Sequence, residues 1–388
     1  MIVNGKRALA HVEKVEWIKP IEGADNIELI GVLGWTCITK IDEFKEGDLC
    51  VYIEIDSKVP EKEWSEFLRA KHFKVKTMKL GKFQVISQGL ALPLDVFDVE
   101  VPAAAGTDIT DLLGITYSVK EDNVRKANKV DKYQRMAQRI GKKFSKNPYR
   151  WLMKITWGKE LLFILYGKKG DKSHKWPAHI CSKTDVDRIQ NMPWMLGDGK
   201  PYVATEKIDG SSCTFAAEKG HFGRIDYYVC SRNVVFKNET QDCYYDSNIY
   251  YEMFYKYNIK DILTALLKDY DLTNVAIQAE CYGDGVQKRN YSLKDGEHKL
   301  MVFHIVTNRE KYPMEMTGEI CEKYELPHVP ILDTEYYFPE DMDELKQYVE
   351  SEPSKLDGKA REGIVFYDKE TGQIYTKFVS PEYLIKYH

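Results

Sequence analysis

The sequence predicts an α+β protein: an all-β module over residues 1–118, a basic, partly helical linker over 119–175, and a mixed α and β domain over 176–388. Three observations predict it. Up to about residue 118, short runs of alternating apolar residues recur between glycines, the pattern of half-buried strands and tight turns. From Lys120 to Lys175 the chain carries 17 Lys/Arg against 5 Asp/Glu, a local balance of +12 in a chain of net charge −4, so the remainder carries −16. From about Trp176 onward, strand-like runs alternate with helix-period segments.

In the first module, Leu9 to Ile18, Ile27 to Leu33 and Leu49 to Ile55 read as strands, punctuated by Gly31, Gly34, Gly47 and Gly81. In size this matches a five-stranded barrel of the oligonucleotide-binding type. Within it, "FKVKTMKLGKF" offers Lys74, Lys76, Lys79 and Lys82 as a phosphate-tracking strand pair, although a solvated hairpin would look the same. In the linker Val124 to Ile140 reads as a helix that Asn147-Pro148 breaks. Its basic balance suits a polyanionic partner or a solvated helix surface equally well. The last domain should hold helices over Ile249 to Tyr257 and Ile259 to Leu267.

Several classes are excluded or disfavoured. No apolar run approaches the roughly 18 residues of a membrane span, and the N-terminus lacks a secretory core. The stretch "WLMKITWGKELLFILYGKK" leaves a membrane-surface role as a minor alternative. The eight cysteines form no C-x-x-C pair and several lie inside apolar runs, so we expect reduced thiols, with neither disulfides nor a zinc site. The protein should be intracellular and cytoplasmic.

Two stretches carry a K-x-D-G pattern, "TEKIDGSS" around Lys207 and "SKLDGKA" around Lys355. Lys207 ends the strand-like "PYVATE" and faces a glycine turn, where a ligand comes close to the backbone, whereas Lys355 lies in a polar loop. Downstream of Lys207 follow, in order, Arg232 in "CSRN", Glu280 in "VAIQAECYG", Phe303 in "LMVFHI", Glu362 in "REGIVF" and Lys377 in "YTKFVS". This ordered set resembles the collinear motifs of the covalent nucleotidyltransferases, the ligases and capping enzymes. The resemblance spans nearly all of residues 176–388 and implies a catalytic domain of antiparallel sheets with flanking helices.

Upstream, "WPAHICSKTDVDRIQNMP" with Arg188, and after Glu280 "YGDGVQKRNY", resemble nick-sealing RNA ligases. "PIEGADNIELIGVLGW", "FKEGDLCVYIEIDSKVP" and "SQGLALPL" resemble the oligonucleotide-binding domain that precedes the transferase in one branch of that family. Eleven residues follow Lys377, which speaks against the C-terminal domain of DNA ligases and capping enzymes.

The resemblance implies an ATP-dependent RNA ligase that joins 3′-OH and 5′-phosphate ends at nicks through a lysyl-AMP intermediate, with Mg²⁺ or Mn²⁺. It implies Lys207 as the nucleophile. Arg188, Arg232 and Lys377 would contact phosphates, and Phe303 with the Glu206 backbone would hold adenine. Asp209, Glu280 and Glu362 would place metal-bound waters or ribose. The chemistry agrees: an amine attacks only when neutral, hard divalent ions take oxygen ligands, and cations must converge on the α-phosphate. Two departures stand out, Ala279 where a glycine usually precedes the glutamate and Tyr375 where a second lysine often stands. The first would narrow the pocket. The rival readings are a GTP-dependent guanylyltransferase and a catalytically silent nucleic-acid-binding protein of the same fold.

Overall fold

The computed structural model describes residues 2–3, 6–117, 175–241, 243, 245 and 247–387. Residues Met1–Tyr117 and His174–His388 make one compact unit. The linker, with the helix expected at Val124 to Ile140, lies outside the described residues.

The N-terminal module is built from β1 (Ala10–Pro20), β2 (Ile27–Val32), β3 (Trp35–Lys40), β4 (Leu49–Ile53), β5 (Met78–Leu80), β6 (Val85–Ser87) and β7 (Leu90–Pro93). Five of them form one antiparallel sheet in the order β7-β4-β1-β2-β3, and β5 and β6 form a separate hairpin. Alternation explains the curl. Val12, Val51 and Ile53 fill one core cluster, while Val15, Ile30, Val32 and Trp35 fill another.

The second domain contains β8 (Tyr202–Lys207), β9 (Ser211–Lys219), β10 (Ile225–Ser231), β11 (Val235–Phe236), α1 (Ile249–Lys256), α2 (Ile259–Asp269), β12 (Asn274–Gly283), β13 (His298–Thr307) and β14 (Glu310–Lys311). There follow α3 (Met314–Lys323), β15 (Ile331–Tyr336), α4 (Met342–Ser351), β16 (Gly363–Asp368), β17 (Ile374–Val379) and α5 (Pro381–Tyr387). They make two antiparallel sheets, β11-β10-β9-β12-β13-β14 and β15-β8-β16-β17. The two helices expected around residues 249–267 are α1 and α2. Asn248 caps α1 by accepting from the Tyr251 amide, and Asn258, in the left-handed region at φ 47°, turns the chain between them.

Strand alternation decides what the site receives. On β12, Val275, Ile277, Ala279 and Cys281 pack with Leu263, Leu266 and Leu267 of α2 in the largest core cluster, so Glu280 projects from the other face. On β8, Tyr202 and Ala204 join the core shared with α4, whereas Val203 joins the cluster between the sheets with Tyr282, Tyr291, Val329 and Tyr367. Lys207 therefore shares its face with Val203, and Glu206 faces the other way. The segment before β15 stitches the sheets together: Val302 N donates to Pro327 O at 2.7 Å, Val329 N to Val302 O at 2.9 Å and Glu206 N to Pro330 O at 2.9 Å.

The barrel and the second domain share a core. Val379 of β17 and Leu384 of α5 lie in the cluster of Trp35, Ile30 and Tyr52. Trp35 Nε1 donates to Asn191 Oδ1 at 2.6 Å, and Asn191 Nδ2 donates to Glu54 Oε1 at 2.7 Å. Gly34 N donates to Gln190 O at 2.7 Å, and a Cβ on Gly34 would stand 2.7 Å from the Gln190 Cα, so only glycine lets the backbones meet.

Candidate active site

Lys207 ends β8 opposite Gly363, and its Nζ lies 2.8 Å from Glu362 Oε1. The chain then crosses through Ile208, Asp209 and Gly210 into β9 of the other sheet. A Cβ on Gly210 would stand 2.3 Å from the Cys281 carbonyl and 2.9 Å from the Glu280 Cγ, so glycine is what brings Glu280 close to the lysine turn. The turn is tied down twice. Asp209 N donates to the Tyr291 hydroxyl at 2.6 Å, and Gln287 Nε2 donates to Gly210 O at 2.8 Å.

The site gathers three carboxylates around one ammonium. Burial works against the Lys207 charge, but the charges of Glu362 and Glu280 and the bond to Glu362 outweigh it, and its pKa is raised. Burial, and then the charges of Glu362 and Asp209 against the opposing pull of Lys207 and Arg232, pushes the Glu280 carboxyl up to about 8. The raised Glu280 pKa marks the crowding of carboxylates here, and carboxylate oxygens suit a hard divalent cation. Among the described residues no three His, Cys, Asp or Glu side chains are placed to hold a metal directly, so such an ion would be held through water.

Cations line the other side. Lys377 of β17 pairs with Val365 and forms a parallel bridge with Arg188, its amide donating to Asp187 O at 3.2 Å. Burial, then the charges of Lys207, Arg188 and Arg7, pushes the Lys377 ammonium down to about 7. Arg188 is 7% exposed, meets Asp56 at 3.4 Å and lies over the Trp35 ring at 5.7 Å, while its Nε and Nη1 have no hydrogen-bond partner among the described residues. Burial lowers its pKa. Arg232 stands exposed in a pair with Asp185.

Phe303 is half-buried at the edge of the cluster between the sheets, beside Val203, Ile208 and Val329. The Glu206 side chain is buried on the far face of β8, accepting from the Ser354 hydroxyl and, at 2.8 Å, from the Lys355 amide. The structure thus brings Lys207, Asp209, Glu280, Glu362, Lys377 and Arg188 to one place, with Arg232, Phe303 and Glu206 around it.

Two sequence expectations need correction. Lys74 is 5% exposed and cannot present its ammonium on an outer surface, although Lys76, Lys79 and Lys82 are exposed near or on the β5–β6 hairpin. The Ala279 methyl lies in the core cluster with α2, so it does not narrow the pocket. Tyr375 is 43% exposed and packs edge-on against Tyr202. Sequence reasoning also missed Tyr291 and Tyr383, which bond Asp209 from far along the chain. Only Tyr291 carried a signal, being part of "QKRNY".

An oligonucleotide-type barrel fused to a two-sheet domain with a lysine among carboxylates and cations defines a nucleotidyltransferase joined to a nucleic-acid-binding module. The RNA ligase family model matches residues 200–388, and an OB-fold domain model matches residues 9–94. The RNA ligase family match covers the domain that carries the site. No curated protein matches the sequence. Among solved structures the chain is similar to Naegleria gruberi RNA ligase with PPi, at 26% identity and TM-score 0.72 over 98% of this chain and 99% of that one. It is similar to an apo aspartate-to-alanine mutant of that ligase at 25% identity and TM-score 0.73, over 100% and 99%. A lysine-to-alanine mutant of it with ATP and Mn, 24% identical, has the same fold at TM-score 0.73, over 98% and 99%.

Proposed function

We propose that the protein is an ATP-dependent RNA ligase that seals 3′-OH/5′-phosphate nicks through lysyl-AMP formed on Lys207. The observation that carries this reading is Lys207 Nζ at 2.8 Å from Glu362, within range of the charges of Glu280, Asp209 and Lys377, the last in turn beside Arg188. The ATP and Mn held by the Naegleria ligase support the choice of nucleotide and metal.

In the first step Lys207 Nζ attacks the α-phosphorus, a P–N bond forms, the bond to the β-phosphate oxygen breaks and pyrophosphate leaves. The ammonium must first lose a proton, and Glu362 Oε1 is within reach to accept it. A divalent cation held through water by Asp209, Glu280 and Glu362 would supply positive charge that lowers the Lys207 pKa and neutralises the α-phosphate. Lys377 and Arg188 take the charge of the phosphates, and the Arg188 Nε–H and Nη1–H groups, without an acceptor among the described residues, suit an anion. Phe303 offers its face to adenine beside the Glu206 backbone. AMP then passes to a 5′-phosphate, and a 3′-OH displaces it to close the strand. Each step is an in-line substitution that rests on positioning and charge.

The partner is an RNA or RNA-containing duplex with a nick. Lys76, Lys79 and Lys82 near the β5–β6 hairpin are candidate phosphate contacts. We place the protein inside the cell, where buried thiols such as Cys37, Cys50 and Cys213 stay reduced. No helix among the described residues is long and apolar enough to cross a membrane. The test is incubation with α-labelled ATP or GTP and Mg²⁺ or Mn²⁺, followed by denaturing electrophoresis and a chase with nicked RNA. Label from ATP that chases into sealed RNA and is absent in Lys207→Ala is expected. Label from GTP alone would mean a capping-type enzyme, and no label from either a silent binder.

A further inference from the structure

Asp209 is held from two sides by aromatic hydroxyls, one of which, that of Tyr383, lies outside every motif quoted above. Tyr383 of α5 donates its hydroxyl to Asp209 Oδ2 at 3.0 Å, and the Tyr291 hydroxyl accepts the Asp209 amide at 2.6 Å. Both phenols are buried.

The two rings are themselves fixed. The Arg289 guanidinium lies over Tyr291 at 4.2 Å and over Tyr383 at 5.6 Å, with Tyr387 of the same helix at 5.9 Å. Arg289 is anchored to the Ala360 carbonyl and the Asp357 carboxylate, both in the "SKLDGKA" loop. One residue beyond Tyr383, Leu384 enters the core cluster of the N-terminal barrel. Helix α5 therefore carries one side chain to the aspartate of the lysine turn and the next to the barrel.

We infer that Tyr383 is a positioning residue for Asp209, with Tyr291 and Arg289 completing the clamp, so that α5 sets the carboxylate's orientation toward the nucleotide and its cation. This rests on the ligase reading above. A carboxylate with one oxygen bonded by a fixed hydroxyl keeps its other oxygen aimed at one place, whereas a freely rotating one spends part of its time turned away.

The decisive comparison uses full-length wild type, Tyr383→Phe, Asp209→Asn and the double variant in two assays. One is single-turnover labelling of Lys207 from α-labelled ATP. The other is Mn²⁺ binding without nucleotide, read from the electron paramagnetic resonance of the free ion. Tyr383→Phe keeps the ring and should label roughly 10–100-fold more slowly, bind Mn²⁺ more weakly and melt within a few degrees of wild type. In the Asp209→Asn background the same change should cost nothing further, because its route runs through Asp209. Tyr291→Phe loosens the aspartate from the backbone side without touching α5, and serves if Tyr383→Phe does not fold. Wild-type labelling and Mn²⁺ binding by Tyr383→Phe, or losses that multiply with those of Asp209→Asn, would overturn the inference. Absence of label from wild type would overturn the ligase reading instead, and the Mn²⁺ arm would still decide the role of Tyr383.

Discussion

The Lys355 amide donates to Glu206 Oε2 across 2.8 Å, so the two K-x-D-G stretches of the sequence meet at one site. Under the proposed function only the first supplies the reacting lysine. The second is a brace: its Ser354 hydroxyl and Lys355 amide hold the Glu206 carboxylate on the far face of β8, and its Asp357 anchors Arg289. The Lys355 ammonium itself lies outside, paired with an exposed Glu352 at 3.0 Å.

Lys355→Ala should therefore label with ATP like wild type, since its amide remains and an exposed ion pair contributes little. Ser354→Ala strips one donor from a carboxylate that is 2% exposed, which costs about 1.5–3 kcal/mol and should lower the melting temperature by several degrees. Loss of label in a folded Lys355→Ala protein would contradict this division of labour.

Under the proposed function Lys377 should make nucleotide binding depend on pH. With its ammonium pushed down to about 7 by burial and then by the charges of Lys207, Arg188 and Arg7, free protein loses that charge as pH rises through 7. Bound phosphates restore it, so the pKa of Lys377 is higher in the complex and binding takes up a proton in between. ATP affinity should fall as pH rises above about 7, by at most roughly tenfold per pH unit, and level off past the bound pKa. Titration calorimetry from pH 6 to 9 reads this directly, and Lys377→Arg should flatten it. An affinity independent of pH in wild type would sink the idea.

The fold and the order of the site residues were legible because both are written in local pattern. Alternation in "PYVATEK" and "VAIQAECYG" places Lys207 and Glu280 on facing surfaces, and α1 and α2 keep their helical period. Lys74 was misread because alternation breaks just before it. His72 and Phe73 both have positive φ, 52° and 58°, which resets the side-chain direction, and Phe73, Lys74 and Val75 are all buried in succession. The tyrosine clamp was hidden for another reason. Tyr383 stands 174 residues from Asp209, and no local pattern announces a hydrogen bond of that span.

His11 predicts a pH-dependent stability in the barrel. Its buried ring has Nδ1 2.7 Å from Glu13 and Nε2 3.6 Å from Glu54. Burial works against the imidazolium, but the bonds to Glu13 and Glu54 outweigh it, so the folded pKa is raised above 6.5. A raised pKa means that the stabilisation is fully present below about pH 6.5 and is lost as pH rises through the folded value. Urea midpoints of wild type and His11→Gln should differ most near pH 6 and converge by pH 9. A gap that widens with pH would show that the ring is neutral in the folded protein.

Gly34 tests whether the barrel's seat on the second domain matters to adenylylation. Its amide bonds Gln190 O at 2.7 Å, and an added methyl would stand 2.7 Å from the Gln190 Cα and 2.6 Å from the Met342 Cε. The methionine end can swing aside, but the Gln190 backbone sits between Arg188, which bridges to Lys377, and Asn191, which bonds Trp35 and Glu54. Gly34→Ala must therefore move the segment that carries Arg188, at a cost of about 1–3 kcal/mol. Circular dichroism should report intact strands, while labelling of Lys207 slows and its half-saturating ATP concentration rises. Gly81→Ala, at a β5–β6 turn where a Cβ would meet nothing within 4 Å, should do neither. Equal labelling by Gly34→Ala and wild type would mean that Arg188 tolerates the displacement and that the close approach serves stability alone.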